Sequence, residues 1–548
     1  KSNRPHPAHL LANSDLKFQL FEAMRDNIHM TMLLRLILYI CCWMPIINVA
    51  YAFHIQSPLP LVSFRQQQQQ QQGLCSTRTT SKFTDVRSKS PSPSSSKPES
   101  PLSLTLEQLS SRIKGKGRAQ LSWDCLRLGI DPLLFYNPNY PEEELDNAFH
   151  NIDTETKDED EDEDKDEQLQ SQRQGRGRED IQKYFPTKRR SQSMGNKALK
   201  KLSQIYPSPL GIESSIATLS SVTTSSDGTT KFLLKLSNNV GISDSDGSSD
   251  GSGASNSNSN TSSEYFIETV IIPHPDWKKS TLCISSQVGC AQGCVFCATG
   301  KMGKLDSLSA DQILIQLYYA NKICRLDEKD ILPPIDNIVF MGMGDAADNI
   351  EAVSKAVGVM TDRSCFGLAP SKITISTVGP NPEAFGDLAK ADAVLAWSVH
   401  AARDDLRKRL VPTTKHTMEE LRDGLVGALV GRSKRLRNVM LEVTLMDGIN
   451  DGIREAEEMA VFALNIIDRV EGVKLMINLI PFNDIGYEQY RRAKVENIKK
   501  FQEVLVSNGV KTFVRTTRGD DESAACGQLA TKKTKKKKQE LKDEVVAP

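Results

Sequence analysis

The sequence predicts an α/β fold, a partial (β/α)6 TIM-like barrel in the C-terminal half that follows a largely disordered N-terminal half. Three observations indicate this fold. Six apolar segments recur after residue 280, amphipathic helical patterns separate them, and low-complexity or charged stretches dominate the chain before residue 227. The βα loops of such a barrel meet at the C-terminal ends of its strands, so functional residues are expected there.

Each predicted strand is a continuous apolar run, as expected where helices cover both faces of a parallel sheet. The six runs are TLCISS, NIVFMG, KITIST, VLAWSV, VMLEVTLM and KLMINLIPF. Ahead of them, DGTTKFLLKL and EYFIETVIIP have the β-branched and aromatic character of strands. Capping-box spacing predicts three helix starts, at Ser309…Gln312, Asp348…Glu351 and Thr417…Glu420.

Composition divides the 548-residue chain into five segments. The zero net charge conceals an acidic run at 158–167 and a lysine-rich run at 532–538, and such runs are usually solvated. We predict a signal-peptide-like segment at 1–52, with Met30 or Met32 as the true start of translation, and a transit-like low-complexity region at 53–104. A degenerate helical accessory region with an acidic linker is predicted at 105–226. A core with a disordered insertion at 237–263 follows at 227–530, and a basic disordered tail ends the sequence at 531–548.

The N-terminal segments predict targeting. Arg35 precedes an apolar stretch, 36–49, that is too short to span a bilayer, and Ala50-Tyr51-Ala52 fits cleavage before Phe53. Residues 53–84 contain basic residues but no Asp or Glu, which is typical of a transit peptide. Together they predict import into a plastid, with no stable membrane association of the mature form. A secretory signal, the cytoplasm and the mitochondrion remain alternatives.

The most informative residues are Cys290, Cys294 and Cys297 in the stretch GCAQGCVFC. Iron–sulfur clusters normally take four cysteine ligands, so this compact triplet predicts a 4Fe–4S cluster with one iron open to another ligand. Two alternatives remain. A zinc site usually adds a second cysteine pair or histidines, and a disulfide framework is typical of small secreted domains. The eleven cysteines as a whole form no disulfide pattern, which predicts a reducing compartment.

Further motifs follow the cysteine triplet in a fixed order. They are NIVFMGMGDAADN, KITISTVGP, WSVHAARDDLRKRLVP, LMDGIND, INLIPFN and RTTRGDDESAACGQL. Over about residues 227–530 the chain resembles the RlmN-type family of radical S-adenosylmethionine (SAM) methyltransferases. The resemblance implies a radical-SAM barrel with a 4Fe–4S cluster and SAM as cofactors. It also implies methylation of carbon 2 of an adenosine in large-subunit ribosomal RNA and, in some members, in transfer RNA.

The resemblance further implies a SAM-binding set at the ends of the strands. A carboxylate after the second strand can hold an ammonium group such as that of SAM, and glycines beside it allow close approach of a ligand. The family has Glu-Pro where this chain has Asp345-Ala346, which puts the affinity for SAM in doubt. The implied contacts are Gly344, Asp345, Ser376, Ser398, Val399, His400 and Asn483.

Three residues carry the reaction that the resemblance implies. Cys526 takes a methyl group from one SAM, a second SAM provides the radical that activates this methyl, and the carbon then adds to the base. Cys283 attacks the resulting thioether and leaves a disulfide, and Glu268 accepts the proton from carbon 2. An electron donor such as ferredoxin or flavodoxin is also implied. The alternatives are methylation at carbon 8 or of another RNA, a non-catalytic cluster-bearing RNA-binding factor, and cysteines with only structural roles.

Basic residues on or near the barrel loops predict contacts with RNA phosphates. Each of them could also be solvated surface. The clusters are Arg403, Arg407, Lys408 and Arg409, then Arg432, Lys434, Arg435 and Arg437, then Arg515 and Arg518.

Overall fold

The computed structural model describes residues 100–141, 178–208, 210–237, 264–327, 331–486 and 489–529. The predicted signal-peptide-like segment, the acidic run, most of the predicted insertion and the basic tail lie outside these residues. Among the described residues, no helix combines the length and the apolar character needed to cross a membrane.

The predicted accessory region contains a packed helical module. Its helices are α1 (Leu106–Ile113), α2 (Lys116–Leu126), α3 (Pro132–Phe135), α4 (Arg178–Gln182), α5 (Asn196–Ser203) and α6 (Ile212–Ile216). The indole of Trp123 is fully buried and donates to the Leu104 carbonyl at 3.2 Å. The buried Asp131 carboxylate accepts from the Tyr206 hydroxyl at 2.6 Å and from the Ile212 amide at 2.7 Å. These buried polar contacts join the helices on both sides of the acidic linker.

A three-stranded antiparallel segment follows the module. It consists of β1 (Ala217–Thr224), β2 (Thr230–Leu236) and β3 (Phe266–His274), paired in that order. The two strands predicted on either side of the insertion, β2 and β3, are confirmed. The sheet, however, begins at Ala217, ahead of the predicted core boundary at 227. Strand β1 reads ATLSSVTT, and its polar Ser and Thr residues hide it among the flanking polar sequence.

From residue 279 onward, strands and helices alternate. Their bounds are β4 (Lys279–Cys283), β5 (Gln287–Gly289), α7 (Ala298–Met302), β6 (Lys304–Ser307), α8 (Ala310–Leu326), β7 (Ile335–Phe340), α9 (Ile350–Thr361), β8 (Ile373–Thr377), α10 (Pro382–Leu388), β9 (Val394–Ser398), α11 (Asp404–Leu410), α12 (Met418–Val430), β10 (Asn438–Leu445), α13 (Ile453–Arg469), β11 (Lys474–Pro481), α14 (Val495–Ser507) and β12 (Thr512–Val514).

The strand order confirms the predicted partial barrel. Strands β4, β7, β8, β9, β10 and β11 are neighbours in that order and run parallel. Strand β12 adds a further parallel strand, and β3 pairs antiparallel with β4, so the sheet has ten strands. The short β5 and β6 pair separately and flank the cysteine loop. The C-terminal ends of the parallel strands therefore meet at one edge of the barrel.

Two of the three predicted capping boxes, those at Ser309 and Thr417, are confirmed, because each hydroxyl accepts from the amide three residues later. The prediction at Asp348 is wrong. Helix α9 begins after Asn349, which makes no side-chain cap bond. The short 3-10 helix ahead of it, Ala346–Asn349, is capped by the carboxylate of Asp345. The residue assigned to SAM thus also has a local structural role.

Candidate active site

The three cysteines of the triplet lie between β5 and α7, at the C-terminal edge of the barrel. Cys290, Cys294 and Cys297 all line one cavity of about 140 Å³. Cys294 packs in an apolar cluster with Phe296 and Phe482. Burial raises the pKa of all three thiols, that of Cys294 to about 12. Such thiols are protonated at neutral pH unless a metal displaces the proton.

This donor set fits a 4Fe–4S cluster. Three buried or half-buried thiols border one cavity, and all the cysteines that the structure describes are free rather than disulfide-bonded. No group of three or more Cys, His, Asp or Glu side chains among the described residues is arranged to hold a metal ion. A cluster, unlike a single ion, distributes its thiolate ligands over separate iron atoms.

The same cavity contains most of the predicted SAM contacts. Its lining includes Gly344, Asp345, Ser376, Ser398, His400 and Asn483. Val399 is the exception, because its side chain is fully buried outside this lining and its amide donates to the Glu442 carbonyl at 3.0 Å. Gly344 has a φ of +95°, and a Cβ there would lie 2.5 Å from the Gln287 side chain. This position therefore requires glycine.

His400 is held as a neutral ring at the edge of the cavity. Its Nδ1 accepts from the Thr444 amide at 3.1 Å, and its ring meets Phe296 edge to face with centroids 4.5 Å apart. Burial, with the nearby Arg407 charge, lowers the pKa of His400 well below its usual value. The backbone of His400 is left-handed, with a φ of 52°, which turns the chain after β9. The ring can present its second nitrogen to a ligand without carrying charge.

Asp345 joins its own loop after β7 to the end of β8. One carboxylate oxygen accepts from the Thr377 hydroxyl at 2.7 Å and from the Ala347 amide at 2.9 Å, and the other accepts from the Val378 amide at 2.7 Å. The side chain is buried, and burial raises the pKa of Asp345 to about 6. The contact of this carboxylate with a SAM ammonium stays a prediction, and that contact would add to bonds that already fix the loop.

Arg407 holds the loops after β8 and β9 together. Its guanidinium is fully buried and donates to the carbonyls of Ser398 at 2.6 Å, Val399 at 2.9 Å and Val378. These loops carry the predicted SAM contacts. The prediction that Arg407 contacts RNA is therefore wrong, because strand-end carbonyls in the protein interior occupy its donors.

A second and larger cavity, of about 890 Å³, contains Cys283 and Cys526, the two cysteines predicted to take part in the reaction. Cys283, at the end of β4, is buried, and burial raises its pKa to about 12. Cys526 lies in the loop after β12 and borders both cavities. The protein therefore brings together two thiols that are far apart in sequence, beside the cavity of the triplet.

The loop of Cys526 is fixed to the triplet loop and to the SAM cavity. The Ala298 amide, next to the triplet, donates to the Gly527 carbonyl at 2.7 Å. The Asn483 side-chain amide donates to the Cys526 carbonyl at 2.9 Å. Gly527 has a φ of +86°, so the turn after Cys526 favours glycine.

Comparisons with known proteins match this architecture. The family model described as the Radical SAM superfamily matches residues 284–460. A protein of Vesicomyosocius okutanii named "Dual-specificity RNA methyltransferase RlmN" is 38% identical over 279 residues, which are 50% of this chain and 74% of that relative. The RlmN of Saccharophagus degradans is 36% identical over 308 residues, 56% of this chain and 69% of its own.

The chain belongs to the RlmN family. It is a radical-SAM methyltransferase, and a solved structure agrees with this assignment. The crystal structure of a radical SAM methyltransferase from Sphaerobacter thermophilus has a TM-score of 0.53 and 27% sequence identity, and the match covers 79% of this chain and 99% of that one. The fold and the superfamily predicted from the motifs are thus confirmed.

Glu268, the predicted proton acceptor of this RlmN-family chain, lies on β3 and is buried. Its backbone carbonyl accepts from the Ser285 hydroxyl at 2.7 Å. It shares a strand face with Val270, which lines the larger cavity, but Glu268 itself lines neither cavity. Its catalytic role stays a prediction.

Several of the basic residues predicted to contact RNA have partners within the protein. Arg432 is buried and donates to the Ala391 carbonyl at 2.8 Å, so its assignment to RNA is wrong. Arg403 pairs with Asp405 at 2.6 Å and with Glu458 at 3.0 Å. The charge of a basic residue alone does not show whether it pairs within the protein or contacts nucleic acid. Lys408 and Arg409, in contrast, are exposed on α11.

The sequence of this RlmN-family chain did not predict two residues at the site. Glu442, on β10, and Arg515, directly after β12, line both cavities together with Cys526. Glu442 lies within an apolar strand and carries no motif signal of its own. The sequence predicts Arg515 only as a contact for RNA phosphates. Its position directly after a parallel strand is the signal that could have placed it at the site, whereas Glu442, in the middle of β10, offers no such signal.

Proposed function

We propose that this RlmN-family protein methylates carbon 2 of an adenosine in RNA, with Cys526 as the methyl carrier. The observation that carries the proposal is the shared cavity of Cys283 and Cys526, which directly adjoins the cavity of the triplet. Its volume of about 890 Å³ is in the range of about 300–1,000 Å³ usual for ligand pockets. A base must be flipped out of folded RNA to enter it.

The residues that line the smaller cavity provide ligands for two cofactors. Cys290, Cys294 and Cys297 would hold a 4Fe–4S cluster, and the predicted SAM contacts would hold SAM beside it. When bound, these groups supply a 5′-deoxyadenosyl radical after an electron arrives from a donor such as ferredoxin or flavodoxin. Each turnover uses two SAM molecules, one for the methyl group and one for the radical.

Cys526 accepts the methyl group in the first step. Its thiolate attacks the methyl carbon of SAM, the bond from that carbon to the sulfonium breaks, S-adenosylhomocysteine leaves, and a neutral thioether remains on the protein. Methylated Cys526 would then give a hydrogen atom to the 5′-deoxyadenosyl radical, which becomes 5′-deoxyadenosine, and add its methylene carbon to carbon 2 of the adenine. The unpaired electron of this adduct would return to the oxidised cluster. This route is needed because carbon 2 lies between two ring nitrogens and is too electron-poor to attack a sulfonium methyl directly.

Cys283 releases the product. Its thiolate attacks the Cys526 sulfur, the bond from that sulfur to the methylene breaks, and the bonding electrons remain on carbon, which takes up a proton. A disulfide between the two cysteines is left, and the proton of carbon 2 passes to Glu268.

The RNA substrates proposed are large-subunit ribosomal RNA and transfer RNA, and the proposed location is the plastid stroma. The names of the relatives support RNA as the substrate, the resemblance of the motifs to the RlmN-type family supports ribosomal and transfer RNA, and the N-terminal sequence supports the location. A fusion of residues 30–110 to a fluorescent protein should enter the plastid. Fluorescence in the cytosol, the mitochondrion or the secretory pathway would contradict the location.

The test of the function is direct. Cluster-loaded protein, SAM, a reductant and RNA are incubated without oxygen, and the RNA is digested to nucleosides for mass spectrometry. We expect 2-methyladenosine together with 5′-deoxyadenosine. The 8-methyl isomer would support the alternative position, and the absence of both products would support a non-catalytic RNA-binding factor.

A further inference from the structure

Arg515 lines the cavity that also contains Cys283 and Cys526. Its amide donates to the Leu479 carbonyl at 2.8 Å, which fixes the residue beside β11. Its guanidinium borders both cavities, and its Nη1 lies 3.8 Å from the Met341 sulfur. Cys526 borders both cavities as well, and Cys283 borders the larger one. One cation therefore faces two thiols that must both ionise in the proposed reaction.

Glu442 lines the same two cavities as this cation. Its side chain is 2% exposed, and one carboxylate oxygen accepts from the Asn478 amide at 3.0 Å. The other oxygen has no hydrogen-bond partner. A buried carboxylate with one unpartnered oxygen lowers the stability of the fold unless a positive charge lies nearby. Burial raises the pKa of Glu442, and Arg515 is the cation that opposes this effect.

The two thiols compete for Arg515. Burial and, after it, a charge on Cys526 raise the pKa of Cys283 to about 12, and Arg515 opposes this rise. The pKa of Arg515 is raised, most strongly by Cys526 and then by Glu442 and Cys283. The cation therefore interacts more strongly with Cys526 while that residue is a thiolate.

We propose that Arg515 is a positioning residue that serves the two thiolates in turn, Cys526 before its methylation and Cys283 after it. The proposal rests on the methyl-cysteine route above. Transfer of the methyl group converts an anionic sulfur into a neutral thioether, so one negative charge disappears beside Arg515. The charge of the guanidinium then acts on Cys283, whose proton leaves to water in the cavity. Methylation of one cysteine thereby activates the other.

The other charged or titratable side chains at the larger cavity do not replace Arg515. They are His274, Lys474, Lys511 and Arg518. Burial first, and then the Arg518, Lys279 and Arg515 charges, lower the pKa of His274, so its ring is neutral at pH 7. Lys474 begins β11 and Lys511 precedes β12, so both lie at the opposite end of the barrel from Cys283. Arg518 lies 3.8 Å from Asp227.

The test measures the reactivity of Cys283 rather than RNA methylation. Anaerobic, cluster-loaded protein is treated with iodoacetamide from pH 6 to pH 10, and mass spectrometry of the Cys283 peptide gives the alkylation rate. In Cys526→Ser the competing thiolate is absent, so we expect about tenfold faster alkylation than in the unmethylated wild type at the same pH. Arg515→Met, combined with Cys526→Ser, should remove this gain, and Arg515→Lys should retain part of it.

Arg454→Met, at an exposed arginine on α13, is the control and should leave the rate for Cys283 unchanged. Equal rates in the wild type and in Cys526→Ser, or a gain that survives Arg515→Met, would overturn the inference. Arg515→Lys keeps the test valid if the methionine variant loses its cluster. Absence of 2-methyladenosine in the RNA assay contradicts the proposed function but leaves these rates measurable, so the two failures are distinguishable.

Discussion

The side-chain amide of Asn483 donates to the backbone carbonyl of Cys526 at 2.9 Å. The amide oxygen of Asn483 accepts from Arg492 at 3.0 Å and from the Thr517 hydroxyl at 3.1 Å, so the orientation of this amide is fixed. A residue predicted to contact SAM thus directly supports the proposed methyl carrier. We therefore expect this bond to help to position Cys526 for methyl transfer.

Asn483→Asp should slow the methylation of Cys526 by about tenfold or more, because an acceptor replaces the donor and repels the Cys526 carbonyl. The measurement is the rate at which methyl from labelled SAM appears on the Cys526 peptide, with SAM affinity determined separately. Asn508→Asp, at the surface end of α14, is the control. A wild-type rate in Asn483→Asp would show that the bond has no part in methyl transfer.

The two cysteines of the larger cavity should have opposite phenotypes. Cys526→Ala has no sulfur to carry a methyl group, so neither methylated protein nor attached RNA should form. In Cys283→Ala, Cys526 should still be methylated and its methylene carbon should still add to the base. No thiolate then releases the product. We expect a protein–RNA crosslink that survives denaturing electrophoresis. Free RNA alone from Cys283→Ala, while the wild type methylates the same RNA, would refute the two-cysteine mechanism.

The barrel was predictable because helices cover both faces of its strands, which leaves continuous apolar runs such as KITIST. Strand β1 was not predictable in this way, since its Ser and Thr residues look like the flanking polar sequence. The sequence shows that Arg407 is charged but not that it is buried. Asp345 follows β7, whereas its partners Thr377 and Val378 lie at the end of β8. These residues become neighbours only in the folded barrel.

Asp345→Glu should weaken SAM binding rather than strengthen it. The carboxylate already makes three hydrogen bonds in a buried position, and a further methylene has no room without displacing the β8 loop. The measurement is SAM affinity at equal cluster content. A gain in affinity would mean that Asp345 is a shortened ammonium ligand and that its bonds to the loop are secondary.

Arg407→Met should destabilise the protein by about 3 kcal/mol or more, because it leaves three strand-end carbonyls without their charged donor. Arg409→Met, two residues later on the exposed side of α11, should change stability by less than about 0.5 kcal/mol. Urea unfolding of both variants gives the comparison. Equal stabilities would contradict the structural role assigned to Arg407.

Asp345 should also make stability depend on pH in a defined window. Burial raises its pKa in the folded protein from the usual 3.8 to about 6, so folding favours the protonated form. Its contribution to stability is complete below about pH 4 and is lost as the pH rises through 6, at a cost of about 3 kcal/mol. His400 acts in the opposite direction, because burial lowers its pKa, and the two effects overlap in the wild type. The free energy of unfolding of the wild type is therefore compared with that of Asp345→Asn, which has no carboxyl group to titrate. The new amide faces the Val378 N–H, but this lowers the stability of the variant equally at every pH.

Urea unfolding at several pH values from 4 to 7 should show the wild type losing stability relative to this variant. Parallel curves would mean that Asp345 titrates at its ordinary value in the folded protein.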